Sequence, residues 1–300
     1  MKVLISGSTG LVGSALCTAL TGAGHEITRL VRESPRSRQQ EVHWDPQKGT
    51  IDAAKLEGFD AVVHLAGESI AAGRWTDKRK ARIRESRVRG TTLLCDTLAK
   101  LKSKPQVLVC ASAIGFYGDR GETIVDETSP PGTDMFLVHV CQEWEAATQA
   151  ASASGIRVVN LRFGVVLSPK GGALAKMLLP FKLGAGGVLG DGKQYMSWIA
   201  LDDAVGAIQH VIKSEAARGP VNAVSPNPVT NYVFTKTLGK VLVRPTIFPV
   251  PAFAARLAFG QMADELLLAS TRVQPVKLLE TRYSFRYPEL EGALRHVLSE

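Results

Sequence analysis

The sequence predicts a doubly wound α/β protein with a mostly parallel sheet and a smaller C-terminal lobe. Two observations predict this fold. Short apolar runs alternate with longer helical segments through the first half of the 300-residue chain, and a glycine-rich turn joins the first run to the first helix. Because right-handed crossovers bring consecutive strands together in parallel, such units build one sheet that helices cover on both faces.

The strand candidates of the first half are short runs rich in Val, Ile and Leu. They span residues 2–6, 26–31, 61–65, 106–111 and 157–161. Helical periodicity follows at residues 10–20, 78–100 and 141–153. Ligands bind at the carboxyl ends of the strands in sheets of this kind. The residues that follow each strand are therefore the candidate site residues.

The turn after the first strand carries the most specific local pattern. It reads Gly7-Ser8-Thr9-Gly10-Leu11-Val12-Gly13, with the spacing GxxGxxG. Gly7 permits the tight turn, Gly10 lets the backbone approach a diphosphate, and Gly13 lets the helix pack closely on the sheet. Free N–H groups and the helix dipole would hold the diphosphate. The pattern predicts a Rossmann dinucleotide site at residues 7–13.

The residue after the second strand indicates which dinucleotide is bound. NAD enzymes place a carboxylate there, whereas an arginine accommodates the 2′-phosphate of NADP. Arg32 follows the strand tip, and Arg36 and Arg38 add positive charge beside it. We therefore expect NADP(H) as the cofactor, while Glu33 leaves NAD open as the alternative.

Composition and charge exclude several other classes of protein. The formal net charge is +8, and much of the excess lies between Arg74 and Arg89. Basic residues occur there at nearly every helical angle, with no aromatic interleaving beyond Trp75, so we interpret this stretch as a solvated helix face, with an anion-steering surface as the alternative. We expect no nucleic-acid partner. No apolar run is long enough to span a bilayer, so we expect no membrane partner.

Cysteine spacing and the first residues bear on metal binding and location. The four cysteines show neither CxxC nor zinc-type spacing, so we interpret them as reduced core residues and expect no metal site. A strand begins at once after Met1, leaving no room for a secretion signal. We expect a cytoplasmic protein, and the sequence leaves a homodimer open.

Two lobes are expected. Residues 1–167 would form the NADP(H)-binding Rossmann domain, and residues 168–300 a smaller substrate lobe that closes over the cofactor. This second part has a helical pattern at 172–183, a glycine-rich turn at 184–192, an apolar helix at 251–270 and a final helix from Glu289. The segment 197–214 is expected to return to the main sheet.

Several further motifs occur in order along the chain. They are His64-Leu65-Ala66-Gly67, Ser112-Ala113-Ile114-Gly115-Phe116-Tyr117-Gly118, Gly190-Asp191-Gly192, Trp198-Ile199-Ala200-Leu201-Asp202-Asp203 and Tyr287-Pro288-Glu289-Leu290. With the glycine-rich turn, they resemble the extended, epimerase-like branch of the short-chain dehydrogenase/reductase superfamily. Three further segments are Trp144-Glu145-Ala146-Ala147, Arg162-Phe163-Gly164-Val165-Val166-Leu167 and Met177-Leu178-Leu179-Pro180-Phe181. Through them the chain resembles, more narrowly, the group called epimerase family protein, sometimes labelled cell-division-inhibitor-like, whose members carry a characteristic C-terminal extension.

The resemblance implies an NADP(H)-binding protein with a redox or epimerase role. It implies that Leu65, Ala66, Gly67 and Ala111 line the cofactor site. Arg162, at the end of the last predicted strand, would contact either a cofactor phosphate or structural carboxylates.

The usual acid/base pair of the superfamily is missing. Typical members use a Tyr whose pKa is lowered by a Lys four residues later. Aligning Glu145 with the acid that follows that Lys puts Leu137 in the Tyr position and Cys141 in the Lys position. Ala113 stands where a Ser or Thr is usual. A late Tyr232-to-Lys236 spacing is interpreted as coincidence.

The substrate contact of the nucleotide-sugar enzymes is also missing. Those epimerases usually carry an Arg that clamps the substrate diphosphate between the glycine-rich turn and the Asp pair. Met196 takes that position here. The substitution disfavours a nucleotide-sugar substrate.

Three residues remain as candidate catalytic groups. Ser112 and Tyr117 follow the fourth predicted strand, and His139 lies near the next helix. Tyr117 is the leading proton donor, although packing against the sheet or cofactor is its alternative role. His139 is alternatively a surface histidine.

Two functions remain open. The first is an NADP(H)-dependent oxidoreductase or epimerase-like enzyme acting on an unidentified small, partly apolar molecule. The second is a catalytically silent NADP(H)-binding sensor. Hydride transfer is the cofactor's chemistry and needs correct placement of a carbonyl or alcohol, so loss of the Tyr does not forbid turnover.

Overall fold

A computed structural model describes residues 1–32 and 40–299 of the chain. The predicted residues Glu33, Arg36 and Arg38 lie outside the described residues. The strands are β1 Lys2–Ser6, β2 Glu26–Val31, β3 Glu41–Asp45, β4 Thr50–Ile51, β5 Ala61–His64, β6 Val107–Ala113, β7 Ile124–Val125, β8 Arg157–Phe163, β9 Val165–Leu167, β10 Tyr195–Met196, β11 Trp198–Ala200, β12 Gly219–Ala223, β13 Val229–Thr230 and β14 Arg272–Val273.

Helices connect these strands and fill the C-terminal part. The α-helices are α1 Leu11–Gly22, α2 Asp77–Ala99, α3 Phe136–Ala146, α4 Gln149–Ala153, α5 Gly172–Lys182, α6 Leu201–Lys213, α7 Asn231–Leu242, α8 Ala252–Phe259, α9 Gln261–Ala263, α10 Val276–Glu280 and α11 Leu290–Ser299. Short 3-10 turns occur at Ala53–Leu56 and Ile114–Tyr117, and a π-helical turn at Asp264–Leu268. Among the described residues, no helix combines the length and apolar character needed to cross a bilayer.

The main sheet has the strand order β12-β8-β6-β5-β1-β2-β3-β4. Every neighbouring pair in it is parallel except β3 with β4 at one edge. The order reverses between β1 and β5, so their carboxyl ends form the crevice where ligands of such sheets bind. This arrangement confirms the predicted doubly wound α/β fold.

Alternating side chains of β1 pack into two separate hydrophobic cores. Val3 and Ile5 join one apolar cluster with residues of α1 and α6, whereas Leu4 joins another with residues of α2. Successive strand residues point to opposite faces, so a fully buried strand requires the continuous apolar run found here. The helices therefore cover both faces of the sheet.

The predicted strands of the first half are found, with ends that differ by a few residues. Three strands of the main sheet were missed, namely β3, β4 and β12. The sequence of β12, Gly-Pro-Val-Asn-Ala, carries Pro220, which cannot donate a ladder hydrogen bond. It is tolerated because β12 is an edge strand.

The predicted helix at 141–153 was wrong in its start and continuity. The structure begins α3 at Phe136, ends it at Ala146, and starts α4 at Gln149. The carboxylate of Glu265 accepts the N–H groups of Phe136 and Leu137 at 3.0 and 2.8 Å. A cap supplied from so far along the chain leaves no local sequence signal.

The C-terminal half contributes to both the main sheet and a separate core. Helix α6 packs its Ile208 and Val211 into the cluster that contains Val3 and Ile5. A further cluster gathers α5, α7 and α11 around Trp198. The predicted apolar helix at 251–270 is interrupted at Gly260, whose φ is 61°. The division into lobes at residue 167 stays a prediction.

Candidate functional site

The glycine-rich turn leaves no room for side chains at two positions. A Cβ on Gly7, whose φ is 68°, would lie 2.7 Å from the carbonyl carbon and oxygen of Leu65. A Cβ on Gly13 would lie 2.2 Å from the Gly7 oxygen. The turn therefore packs directly against the end of β5 and the first turn of α1.

The start of α1 offers donors to an anion. Gly10 caps the helix without a side-chain hydrogen bond, and no acidic residue lies in its first turn. Unsatisfied N–H groups at a helix N-terminus favour a phosphate. We call the closely packed turn at Gly7 and Gly13 the glycine cradle. This cradle and the N–H donors fit the diphosphate of a dinucleotide. Ser8 is buried, whereas Thr9 is exposed; Leu11 and Val12 are half-buried.

Replacing Gly13 by Ala tests this cradle. We expect NADPH affinity to fall at least about tenfold, because the new methyl group must displace the Gly7 backbone. Gly22→Ala is the matched control, since Gly22 also lies in α1 and a Cβ there meets nothing within 4 Å. Isothermal titration with NADPH measures both. Equal affinities in the two variants would contradict a tight cradle.

Arg32 lies at the edge of the crevice. It is exposed two residues beyond Leu30, which pairs with Ser6 of β1 in the sheet register. Its backbone oxygen lies 3.2 Å from His43 Nε2. Its backbone therefore follows the strand that pairs with β1, and its role toward a 2′-phosphate stays a prediction.

A buried histidine contacts Ser6, the residue that precedes the glycine-rich turn. His64, at the end of β5, is fully buried, with Nδ1 2.6 Å from the Ser6 hydroxyl and Nε2 3.1 Å from the Thr91 hydroxyl. The Leu65 N–H donates to the Ser6 hydroxyl at 3.2 Å. Desolvation lowers the pKa of His64 to about 4. In the sequence this histidine is visible only as the first residue of the motif His64-Leu65-Ala66-Gly67, which does not indicate its role.

The low pKa of His64 makes stability depend on pH. In the unfolded chain the imidazole binds a proton near pH 6.5, but in the folded chain only near pH 4. Stability should therefore fall as pH decreases through this window, by about 3 kcal/mol in total. His64→Gln should lack this component. Urea unfolding at several pH values measures both proteins, and parallel pH profiles would refute the assignment.

The two positions of the missing acid/base pair carry buried, inert side chains. A Cβ on Gly115 would lie 3.3 Å from Leu137 Cβ and 3.8 Å from Cys141 Sγ. Burial raises the pKa of the Cys141 thiol to about 12. Neither side chain can exchange a proton near neutral pH.

Arg87 brings a positive charge into this region. A Cβ on Gly67 would lie 3.4 Å from the Arg87 guanidinium carbon, which also stands 5.1 Å from the Trp144 ring centroid. Within the described part of the chain, this guanidinium donates one hydrogen bond, from Nη1 to the Ile83 oxygen at 3.0 Å. Desolvation lowers its pKa, yet an arginine stays charged. Sequence reasoning missed this residue.

The interpretation of the basic stretch as a solvated face was wrong for Arg79 and Arg87. The Arg79 side chain is 13% exposed and pairs with Glu68 at 3.1 Å. Arg82 pairs with the same carboxylate at 3.3 Å. These contacts hold the loop after β5 onto α2, because Glu68 follows directly on Gly67.

Tyr117 and Ser112 belong to a buried polar network. The Tyr117 hydroxyl donates to Asn222 Oδ1 at 2.8 Å and accepts from Arg162 at 2.9 Å. The Ser112 hydroxyl donates to Glu145 at 2.6 Å. Tyr117 has no exposed surface, and burial raises its pKa to about 12. This geometry disfavours proton donation by Tyr117 to a substrate.

Arg162 forms an ion pair inside the same network. Its Nε and Nη2 donate to the two Glu145 carboxylate oxygens, each at 2.8 Å, and its guanidinium stacks 3.5 Å from the Phe116 ring centroid. The Arg162 side chain is 3% exposed. Of the two predicted roles, the structure therefore contains the carboxylate contact, and a phosphate contact is disfavoured.

The other predicted residues are placed as follows. Leu65, Ala66 and Gly67 follow β5 against the glycine-rich turn, and Ala111 is buried in β6 beside Ser112. His139 is exposed on α3 and makes no contact with the buried network among the hydrogen bonds described. The Tyr232-to-Lys236 pair lies on α7, where Lys236 donates to the Thr246 carbonyl.

C-terminal residues pack against the first turn of α3, around Leu137. An apolar cluster joins Leu137 to Trp75 and Met262, with Leu266 packed against it. Arg74 Nη2 donates to the Leu257 oxygen at 3.0 Å. The second half therefore covers the region around the missing Tyr with apolar side chains.

Comparison with known families accounts for this architecture. The model of the NAD dependent epimerase/dehydratase family matches residues 3–224. The chain belongs to this family. A second model, described as a domain of unknown function (DUF1731), matches residues 250–297, which include the C-terminal residues that close over α3.

Relatives of similar length are found across distant organisms. Epimerase family protein Mb2239 of Mycobacterium bovis is 44% identical over 295 residues, covering 98% of this chain and 97% of the relative. A crystal structure of human epimerase family protein SDR39U1 (isoform2) with NADPH is 34% identical, covers 100% of both chains and gives a TM-score of 0.92. UDP-N-acetylglucosamine 4-epimerase from Bacillus cereus, 20% identical over 99% of this chain and 98% of its own, with a TM-score of 0.75, shares the fold.

Proposed function

We propose that the protein is an NADP(H)-dependent oxidoreductase of the extended short-chain dehydrogenase/reductase type that acts on a small, partly apolar carbonyl or alcohol. The cofactor follows from one observation above all, the glycine cradle at Gly7 and Gly13 that admits no Cβ. The family membership and the human relative's complex with NADPH support it.

Arg87 is proposed to take over part of the role of the absent lysine. Its guanidinium lies against Gly67 and interacts electrostatically with Cys141, the position where the superfamily has that lysine. Bound NADPH would supply a hydride to the substrate carbonyl carbon, and a bound water molecule would supply the proton to its oxygen. The Arg87 guanidinium would orient the cofactor through N–H groups other than the one that donates to Ile83, and the apolar side chains of Trp75 and Leu137 would keep bulk water out.

An apolar substrate is favoured by the residues that surround the site. Trp75, Leu137 and Met262 form one cluster there. Met196 replaces the arginine with which sugar-nucleotide enzymes clamp a diphosphate. We expect carbonyl compounds without phosphate groups to be turned over in preference to nucleotide sugars.

The test follows cofactor absorbance. NADPH is mixed with the purified chain and a panel of aldehydes, ketones and UDP-sugars, and oxidation is recorded for each. Turnover of an apolar carbonyl supports the proposal. Turnover of a UDP-sugar alone would overturn the substrate class.

A sensor without catalysis is the second candidate. The inert pair Leu137 and Cys141 favours it, because neither can donate or accept a proton. It predicts that NADPH binds and changes protease cleavage of the C-terminal residues, while no compound in the panel is turned over.

Arg32→Ala tests the choice of cofactor. We expect NADPH affinity to fall about tenfold or more, the value of a lost charge-assisted contact, and NADH affinity to stay unchanged. Lys48→Ala is the control, because its side chain is exposed and lies beyond β3. Equal NADPH and NADH affinities in the unmodified protein would rule out this role for Arg32.

A further inference from the structure

Large apolar side chains are exposed along one part of the C-terminal half. They are Leu179, Leu183, Ile247, Phe248, Phe253 and Leu257, each between 63% and 76% exposed. We call these six residues the apolar patch. Single exposed apolar residues are common, but a group of aromatic and branched side chains marks an interaction surface.

The segments that carry the patch lie side by side. Arg244 Nε donates to the Lys182 oxygen at 2.9 Å, which joins the end of α5 to the loop after α7. The Val250 N–H donates to the Val188 oxygen at 2.8 Å. Helix α8 starts two residues later, at Ala252. The three segments are therefore neighbours in the fold.

Helix α8 presents its large apolar residues outward. Phe253 and Leu257 lie one turn apart and are 71% and 76% exposed, whereas the small Ala255 is buried. A helix that packs only on its own domain places its large apolar residues inward. This helix therefore has an outward face with no partner inside the described part of the chain.

Positive charge surrounds the patch. The spans 168–193 and 228–265 contain eight basic residues, four in each, and three acidic residues, Asp191, Asp264 and Glu265. Lys240 and Arg256 pair with carboxylates. Lys182 and Arg244 directly adjoin the patch through their shared hydrogen bond.

We propose that this surface docks on an anionic lipid bilayer, with the apolar patch entering the headgroup boundary and the lysines and arginines facing the phosphates. Exposed aromatic and aliphatic side chains bordered by basic residues bind such an interface through buried apolar area and charge together. A second copy of the chain is disfavoured, because a two-fold contact would bring the same basic border against itself. This docking differs from a membrane span, for which no helix among the described residues is long and apolar enough.

Vesicle flotation with the full chain tests the proposal. Vesicles of phosphatidylcholine alone are compared with vesicles of phosphatidylcholine and phosphatidylglycerol. We expect binding to the mixed vesicles, lost by at least about tenfold in Phe253→Ser/Leu257→Ser and in Lys182→Glu/Arg244→Glu. Leu279→Ser is the control, since Leu279 is 48% exposed on α10 outside the patch.

Two results would overturn the proposal. The first is absence of binding to mixed vesicles, or binding that the patch variants retain. The second is a dimer in sedimentation velocity that Phe253→Ser/Leu257→Ser converts to a monomer, which would make a second copy the occupant. Thermal unfolding of each variant confirms that these surface changes leave the fold intact.

Discussion

Arg162→Met is expected to lower the free energy of unfolding by about 3 to 5 kcal/mol. The change leaves the Glu145 carboxylate, 13% exposed, without the two hydrogen bonds that Arg162 donates to it. It also removes the donor to the Tyr117 hydroxyl. The Glu145 carboxylate then keeps the hydrogen bond from Ser112 but has no compensating positive charge, so most of its desolvation cost remains.

Two comparisons separate this effect from a general loss of charge. Arg84→Met removes an ion pair with Glu143 whose side chains are 55% and 37% exposed, and we expect a change below about 1 kcal/mol. Arg162→Met/Glu145→Met should recover much of the loss, because no unpaired charge remains. Chemical denaturation measures all three proteins. If Arg162→Met were as stable as Arg84→Met, the Arg162–Glu145 pair would make no measurable contribution to the free energy of unfolding.

Arg87→Met is expected to weaken NADPH binding by about tenfold to a hundredfold, the range for losing a charged hydrogen-bond donor. The reason is the position of the guanidinium against Gly67, at the edge of the proposed cofactor site. Arg87→Lys should restore part of the affinity, since it keeps the charge but not the planar fork.

Arg89→Met is the matched control for this residue. It lies on the same helix, is exposed, and donates to the Gln47 oxygen away from Gly67. Titration with NADPH and thermal unfolding are recorded for each protein. An Arg87→Met variant that binds NADPH as tightly as Arg89→Met would remove Arg87 from the cofactor site.

The parts of the fold with local causes could be predicted from the sequence. The strand at 2–6, the turn from Gly7 to Gly13 and the following helix depend on residues adjacent in the chain, so pattern and glycine spacing suffice. The family resemblance was confirmed by the match over residues 3–224.

The parts of the fold that depend on residues distant in the chain could not be predicted from the sequence. The start of α3 depends on Glu265, and the environment of Tyr117 depends on Asn222 and Arg162. Arg87 was interpreted as part of a solvated helix face together with its basic neighbours. A dense basic stretch does not reveal which side of the helix faces inward. The burial of Tyr117 in this network disfavours the predicted role as proton donor, which stays a prediction.

Contacts across the network tie the two matched regions together. Glu127 Oε1 accepts the backbone N–H groups of Asn222 at 3.0 Å and Lys277 at 3.2 Å, and Asn222 Nδ2 donates to the Gln274 oxygen at 2.9 Å. Burial raises the pKa of Glu127. A gene that lost the stretch encoding residues 250–297 would leave these polar groups stranded in the interior of what remained. The extension therefore completes the interior of the epimerase-like portion, and a chain truncated before residue 250 is expected to be less stable than the full chain.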